Sequence, residues 1–282
     1  MSSGRRTMQA GTRAAQAARK APAGPRRGTA GKISWLWPFI TLIVIIAVWQ
    51  IVSVTGLVPS FMLPSPLKVV IALVSDFPLL LYHSKVTIIE SVVGLVLGVL
   101  IGFGFAVLMD RFDRAYQALY PLIVITQTIP TVAIAPLLVL WFGYGLLPKV
   151  VLIIIVTFFP MTVSMLAGFR EADEETIDLM RSMGAGRAQI FRHVKFPGAL
   201  GPFFSALRIA VSYAVVGAVI SEWLGGFEGL GVYMTRVKSA FAFDKMFAVI
   251  VLISVLSLIL MGIVNLVQRR LMPWTHVREA EE

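Results

Sequence analysis

The stretch VTIIESVVGLVLGVLIGFGFAVLM, Val86 to Met109, carries one ionisable residue, Glu90, in 24 positions. A bilayer core of about 30 Å is crossed by about 20 helical residues rising about 1.5 Å each. The stretch therefore reads as a membrane-spanning helix. Gly94, Gly98 and Gly102 recur at every fourth position along it, and Ala106 continues the stripe. Small residues at that interval let helix backbones approach closely in lipid, where dispersion drives association. These glycines read as a helix-packing face.

The same length criterion, carried outward, passes five further stretches: Leu36 to Val54, Tyr116 to Phe142, Val150 to Phe169, Phe203 to Leu224, and Phe247 to Val267. The expectation is an all-α membrane protein with six transmembrane helices over residues 35–273, flanked by tails at 1–34 and 274–282. The third stretch contains QTIPTVAIAPLLVLWFG, Gln127 to Gly143, with Pro130 and Pro136 inside it. Each proline removes a backbone donor and disfavours helix in the preceding residue, so a break near mid-membrane is expected there. Freed backbone groups at that depth must face protein or a water-filled cavity. Gln127, Thr128, Thr131, Trp141 and Tyr144 around the break suit a small polar organic solute, and core packing accounts for them equally well. Glu90 and Glu222 fall near the outer ends of their spans, where an acid costs less than the roughly 2.5–3.5 kcal/mol charged at a helix centre. They are expected to snorkel to the interface, a cavity-facing place on a permeation path being the other reading, entertained for Glu222.

Composition agrees with a membrane protein. The 282 residues are 57% hydrophobic, with mean hydropathy +0.84, and the 14% charged share is far below the roughly 25% of soluble domains. Cysteine is absent, which excludes disulfides, thiolate nucleophiles and cysteine-ligated metals. His83, His193 and His276 are far apart and form no ligand spacing, so no metal site is expected. The net charge of +10 could suggest nucleic acid, but eight of the 25 basic residues lie between Arg5 and Lys32, where no acid occurs. An Ala/Gly/Pro-rich basic arm before an apolar helix reads as a disordered cytoplasmic tail attracted to anionic lipid, with no nucleic-acid partner. The first apolar stretch has no small-residue cleavage site after it and reads as a retained helix.

Lysine and arginine in the connections set the orientation. With the amino terminus inside, the inner segments hold 18 and the outer segments six, with Arg208 near the inner end of the fifth span. Both termini are therefore expected in the cytoplasm of a bacterial or archaeal cell, with the chain multi-pass in the inner (plasma) membrane.

Between the fourth and fifth spans lies READEETIDLMRSMGAGRAQIFRHVKFPGALGP, Arg170 to Pro202, with ten charged residues in its first 26 positions. That charge density excludes it from the bilayer core. Acidic residues open a first helix at the positive end of its dipole, and Gly184 and Gly186 end it. Ile177, Met180 and Met183 fall three apart, and Ile190, Phe191 and Val194 form a second apolar strip. Two short amphipathic helices joined at a glycine turn are expected.

This loop resembles the cytoplasmic loop of binding-protein-dependent ABC importer permeases, whose pattern is Glu-Ala-Ala, three residues, Gly, nine residues, Ile, one residue, Leu-Pro. Here the same spacing gives Asp178-Leu179-Met180, Gly184, Val194 and Phe196-Pro197. The first triplet departs from the pattern, while Gly184 and Pro197 are identical to it. MLPSPLKVV, QTIPTVAIAPLLVLWFGYG and EWLGGFEGLGVYM also resemble the nitrate, sulfonate, taurine and thiamine-precursor branch, so the likeness runs from about Phe61 to Pro273. It implies a type I (MetI-like) importer permease fold in which the loop, 170–202, is a coupling helix seated in a cytoplasmic ABC ATPase. Asp178, Gly184, Ala185, Arg187 and Pro197 are the ATPase-coupling residues it implies. The likeness also implies a homodimer, an extracytoplasmic solute-binding protein, and a small organic or oxyanion solute: a thiamine pyrimidine precursor, an alkanesulfonate, taurine or nitrate. The chain has no GxxxxGK[ST] phosphate loop, so it is not itself an enzyme and is expected to bind no cofactor. ATP and Mg belong to the partner ATPase.

Two other classes give different expectations. A stand-alone secondary transporter or channel calls for ion-coupling charges near mid-bilayer and often an inverted repeat, and a membrane-embedded enzyme for a polar catalytic constellation; neither stands out. The cysteine-free background makes the topology directly testable. Single cysteines at Ser65 and Ser239 are expected to react with an impermeant thiol reagent on intact cells, while one at Ser182 stays unlabelled. Equal labelling at Ser182 would reject this orientation.

Overall fold

The computed structural model describes residues 36–273 apart from 57 and 60, and every regular element among them is helical. The expected tails at 1–34 and 274–282 lie outside the described residues. The chain divides into two units, one ending at Ile51 and one beginning at Val52. Most of α1, Leu36–Val54, belongs to the first unit, and its 19 residues, uncharged and mostly apolar, match the expected first span.

In the second unit α3, Phe77–Arg111, packs along α6, Leu146–Arg170. The reason is the glycine stripe. A Cβ at Gly94 would come within 2.5 Å of Ile153, one at Gly98 would strike Thr157, and one at Gly102 would come within 2.9 Å of Met161. The Glu90–Lys149 ion pair has a chain separation of 59, and the glycine contacts keep the same offset, so α3 and α6 run parallel in fixed register. Two parallel crossings require the chain between them to return through the layer. That return is made by α4, Asp113–Thr126, and α5, Thr131–Phe142, which meet at 98°. With α1, α10 (Leu200–Gly225) and α12 (Phe243–Leu271), five helices are long and apolar enough to cross a membrane, six with the broken pair α4–α5 taken as one span.

The break in the third crossing falls at Gln127 to Pro130, where the chain turns through short bonds from Gln127 N–H to the Val124 carbonyl and from Thr128 N–H to the Ile125 carbonyl. Pro130 disfavours helix in Ile129 before it, which places the break. Pro136 adds no further break: it lies within α5, as Pro121 lies within α4. Packing of α5 on α6 and α10 tolerates the missing donor, as neighbouring helices do for prolines in membrane bundles.

On its other side α6 meets α10 running antiparallel, with Gly217 against Ile153 and Val156, and Gly168 against Ala199 and Pro202. The helix α6 is thus the central post. Two ten-residue helices, unforeseen in the sequence, cover the end of the bundle opposite the charged loop: α2, Pro66–Ser75, and α11, Leu230–Ser239. Ser65 caps α2 by accepting the Lys68 N–H, with Pro66 in the first helical position, where a missing donor costs nothing.

The charged loop forms α7, Glu174–Ser182, and α8, Arg187–Ile190, which runs on into a π-helical segment, Phe191–Lys195, and a short turn of helix, α9, Phe196–Gly198. The first expected helix is present. The second is a continuous, locally widened path into α10, not an isolated amphipathic rod.

Replacement of Gly98 by Ala is expected to destabilise the detergent-solubilised protein by on the order of 1–3 kcal/mol, the usual size of overpacking. Gly104→Ala on the same helix, where a Cβ meets nothing within 4 Å, is expected to leave thermal unfolding nearly unchanged. Equal unfolding temperatures for the two variants would show that the stripe does not set the α3–α6 approach.

Candidate functional site

Three groups of residues are placed by this frame, one at each end of the bundle and one between them. At the end away from the charged loop, Glu222 on α10 is 1% exposed, and Glu90 and Lys149 are 3% and 5% exposed. The expectation that the two acids snorkel to an interface is overturned. Lys149 Nζ donates to Glu90 Oε1 at 2.6 Å, and burial makes that partner obligatory. Glu90 Oε2 has no hydrogen-bond partner among the described residues.

Glu222 instead holds the first turn of α11. Gly231 N–H donates to Glu222 Oε2 at 2.6 Å, and Thr87 Oγ1 donates to Glu222 Oε1 at 2.7 Å. Thr87 Oγ1 also accepts from Leu230 N–H at 2.9 Å, and His83 Nδ1 accepts from Gly229 N–H at 3.1 Å. Three successive backbone donors at a helix start are thereby satisfied, one by a carboxylate at the positive end of the helix dipole. The close approach demands glycine. Gly229 sits at φ +119, and a Cβ there would overlap the Glu222 carboxyl group, while one at Gly231 would lie 2.5 Å from the Val219 carbonyl oxygen. Nearby, outside the spans, Asp76 is held below the usual carboxylate range by hydrogen bonds from Lys245 first and from Tyr233 second.

Between the two ends a cavity of about 340 Å³ opens beside the chain break. Gln127, Thr131 and Tyr213 contribute polar groups, and Leu152, Ile155, Val156, Val216 and Ile220 contribute apolar wall. Leu152 to Val156 lie about two to three turns along α6, and Gln127, Tyr213 and Val216 on the cavity's lining are exposed.

At the loop end, Asp173 caps α7 by accepting the Thr176 N–H at 3.0 Å; bonds from the Thr176 hydroxyl and then the Thr176 backbone keep the Asp173 carboxyl below its ordinary range. The far end of α7 closes with Ala185 N–H on the Met180 carbonyl and Gly184 N–H on the Arg181 carbonyl, both at 2.9 Å. This is a Schellman ending, and Gly184 supplies its positive φ of +83. The second half of the loop is tied to the spans. Lys195 pairs with Asp110 at the end of α3 at 2.6 Å, and Phe191 and Phe196 join Phe103 and Phe169 in one aromatic cluster. Ahead of the loop, Arg170 lies over the Tyr116 ring at 3.6 Å. A groove of about 1110 Å³ with acidic and basic walls runs between α7, α8 and the end of α3.

Asp178, Ala185 and Arg187 line that groove, Gly184 forms the turn beside it, and Pro197 lies outside it in α9. Of the residues singled out for a solute path, Gln127 and Thr131 meet at the cavity. Thr128, Trp141 and Glu222 do not line it: the Thr128 hydroxyl donates to the Ile125 carbonyl, Trp141 is 67% exposed, and Glu222 is committed to α11. Sequence reasoning missed Tyr213, and it missed Thr87 and His83 as holders of α11. The glycine run in EWLGGFEGLG carried the one available signal, since backbone that crowded asks for a buried acceptor.

A family profile described as "Binding-protein-dependent transport system inner membrane component" matches residues 94–273. The chain is 39% identical over 229 residues to a "Probable ABC transporter permease protein" of Haemophilus influenzae, covering 81% of this chain and 94% of that one. It is 35% identical over 238 residues to the "Formylaminopyrimidine transport permease protein ThiX" of Halalkalibacterium halodurans, covering 84% and 95%. Among solved structures it resembles the MetNI methionine ABC transporter in an inward-facing conformation, with TM-score 0.60, 21% identity, and coverage of 70% of this chain and 97% of that one.

Lys149→Met strands the Glu90 carboxylate and is expected to cost on the order of 3–5 kcal/mol, seen as lost thermal stability and lower membrane abundance. Adding Glu90→Gln to Lys149→Met is expected to recover part of that loss, because no uncompensated charge then remains. Purely additive effects of the two changes would refute the pairing.

Proposed function

Because the chain belongs to the family of binding-protein-dependent transport system inner membrane components, the permease subunits of ABC importers, we propose the following working assembly. Two copies form the solute pathway across the plasma membrane with both ends cytoplasmic. Each offers its loop, 170–202, to a cytoplasmic ATPase that binds ATP and Mg. An extracytoplasmic binding protein delivers the solute at the end covered by α2 and α11. The solute belongs to the group carried by the branch: a thiamine pyrimidine precursor, an alkanesulfonate, taurine or nitrate.

The observation that carries this reading is the asymmetry of the loop. Its first half, α7, stands exposed, with Asp178 and Arg181 in a solvent-facing pair that contributes little to stability. Its second half is fixed to α3 and α6 by Lys195–Asp110 and the phenylalanine cluster. A partner that grips α7 therefore pulls on the ends of two spans. Closure of paired ATPases can reach the membrane helices by that route, with Asp178, Ala185 and Arg187 at the contact and Gly184 setting the angle of α7.

Gly184 tests the coupling. A Cβ there meets nothing within 4 Å, so any effect of substitution comes from the backbone conformation alone. Gly184→Val is expected to cost on the order of 1–3 kcal/mol in the turn, and to insert normally while losing most ATPase co-purification and uptake. Gly184→Asn, which tolerates positive φ, is expected to keep the greater part of both. Parent-like uptake and ATPase binding in both variants would remove this loop as the coupling element.

A further inference from the structure

We propose that the junction of α10 and α12, at the end of the bundle that carries the charged loop, binds the headgroup of an anionic phospholipid, with the Arg208 guanidinium at its centre. This goes beyond the importer reading, since it gives the chain a lipid ligand of its own whatever solute is carried.

Arg208 is the ninth residue of α10, about two turns in from its start. An arginine at such a position in a span is disfavoured unless its charge meets a counter-ion. The fold supplies only neutral partners. Nη1 donates to Gln268 Oε1 at 2.5 Å and to Asn265 Oδ1 at 3.4 Å, and Nη2 donates to Ser205 Oγ at 3.1 Å. Two of the five guanidinium donors therefore keep no partner among the described residues. Acids at this end are engaged elsewhere: Asp110 with Lys195, Asp178 with Arg181, and Asp173 at the start of α7.

Side chains from two helices thus hold the guanidinium in place and leave its charge uncompensated. Such a fork suits a phosphate, whose oxygens accept parallel N–H bonds. Arg269 follows Asn265 by one turn on the same face of α12, with Arg270 beside it, and neither pairs with an acid among the described residues. Basic residues at the cytoplasmic end of a span are ordinary. An arginine set further in and fixed by Ser205, Asn265 and Gln268 is not explained by that bias alone.

The surroundings favour a lipid over a free anion. Ile209 on α10 and Ile263 and Leu266 on α12 are exposed beside the polar group, so apolar surface flanks it. Inorganic phosphate has no use for such flanks, whereas acyl chains lie along them. Basic pockets between spans on the cytoplasmic side are suited to lipid phosphates.

The test uses the full-length permease, co-expressed with its ATPase and purified in a neutral detergent. Native mass spectrometry and thermal unfolding are recorded with added phosphatidylglycerol, phosphatidylcholine or inorganic phosphate. Phosphatidylglycerol is expected to bind saturably and raise the unfolding temperature, and the other two are not. Arg208→Gln, which keeps polar contacts and removes the charge, is expected to weaken phosphatidylglycerol binding about fivefold or more, the share of one basic residue at an anionic surface. Arg208→Lys is expected to retain part of the binding, and Lys68→Gln at the other end of the bundle to retain all of it. A purely structural role for Arg208 would lower the unfolding temperature without changing the gain from phosphatidylglycerol, and that result would overturn the proposal. So would an equal gain from phosphatidylcholine or from inorganic phosphate. Loss of ATPase co-purification in Arg208→Gln with lipid binding intact would make this junction a protein contact and likewise overturn it.

Discussion

The rest of the structure depends on the contact between α3 and α6. Glycines at 94, 98 and 102 leave three successive turns of one face of α3 without side chains, so that Ile153, Thr157 and Met161 of α6 come within reach of its backbone. Lipid offers no hydrophobic drive for such an association, and close dispersion contact takes its place. The Glu90–Lys149 pair continues the same register toward the far end of the bundle. Because the two helices run parallel, the intervening chain must return across the layer in 34 residues or fewer, and the broken pair α4–α5 is how it does so. The cavity beside that break follows from the register of two other helices.

The same register reaches the charged loop. Asp110 ends the glycine-faced helix and Phe169 ends its partner, and both hold the second half of the loop, through Lys195 and through Phe191. The loop therefore has one half rigidly joined to the bundle and one half presented outward. The π-helical segment from Phe191 to Lys195 widens the path at that junction, turning Lys195 toward Asp110 while Phe196 reaches Phe103.

At the opposite end, burial changes the meaning of the ionisable residues. An acid at 1% exposure needs compensation from every side, and Glu222 finds it in a hydroxyl and a backbone amide at the start of α11. This arrangement anchors a ten-residue helix across the end of the bundle by its polar backbone groups. It keeps charge away from the cavity, whose lining is left to amide, hydroxyl, phenol and aliphatic groups.

Span number, the glycine face, the break at Pro130 and the turn at Gly184 were legible in the chain because each is local: a run of apolar residues, an interval of four, a missing donor, a residue that accepts positive φ. The family likeness was legible for the same reason, being a matter of spacing within one loop. Other features were decided only by the fold. Pro136 kept its helix because neighbouring helices support it. Glu90 and Glu222 moved from interface to interior because Lys149, Thr87 and Gly231, distant in sequence, arrive beside them. The chain by itself determined where it enters and leaves the membrane, since transfer of side chains from water to lipid is settled residue by residue. The tertiary structure alone decided which polar groups meet inside, since a buried charge is tolerable only where another part of the chain has been brought to satisfy it.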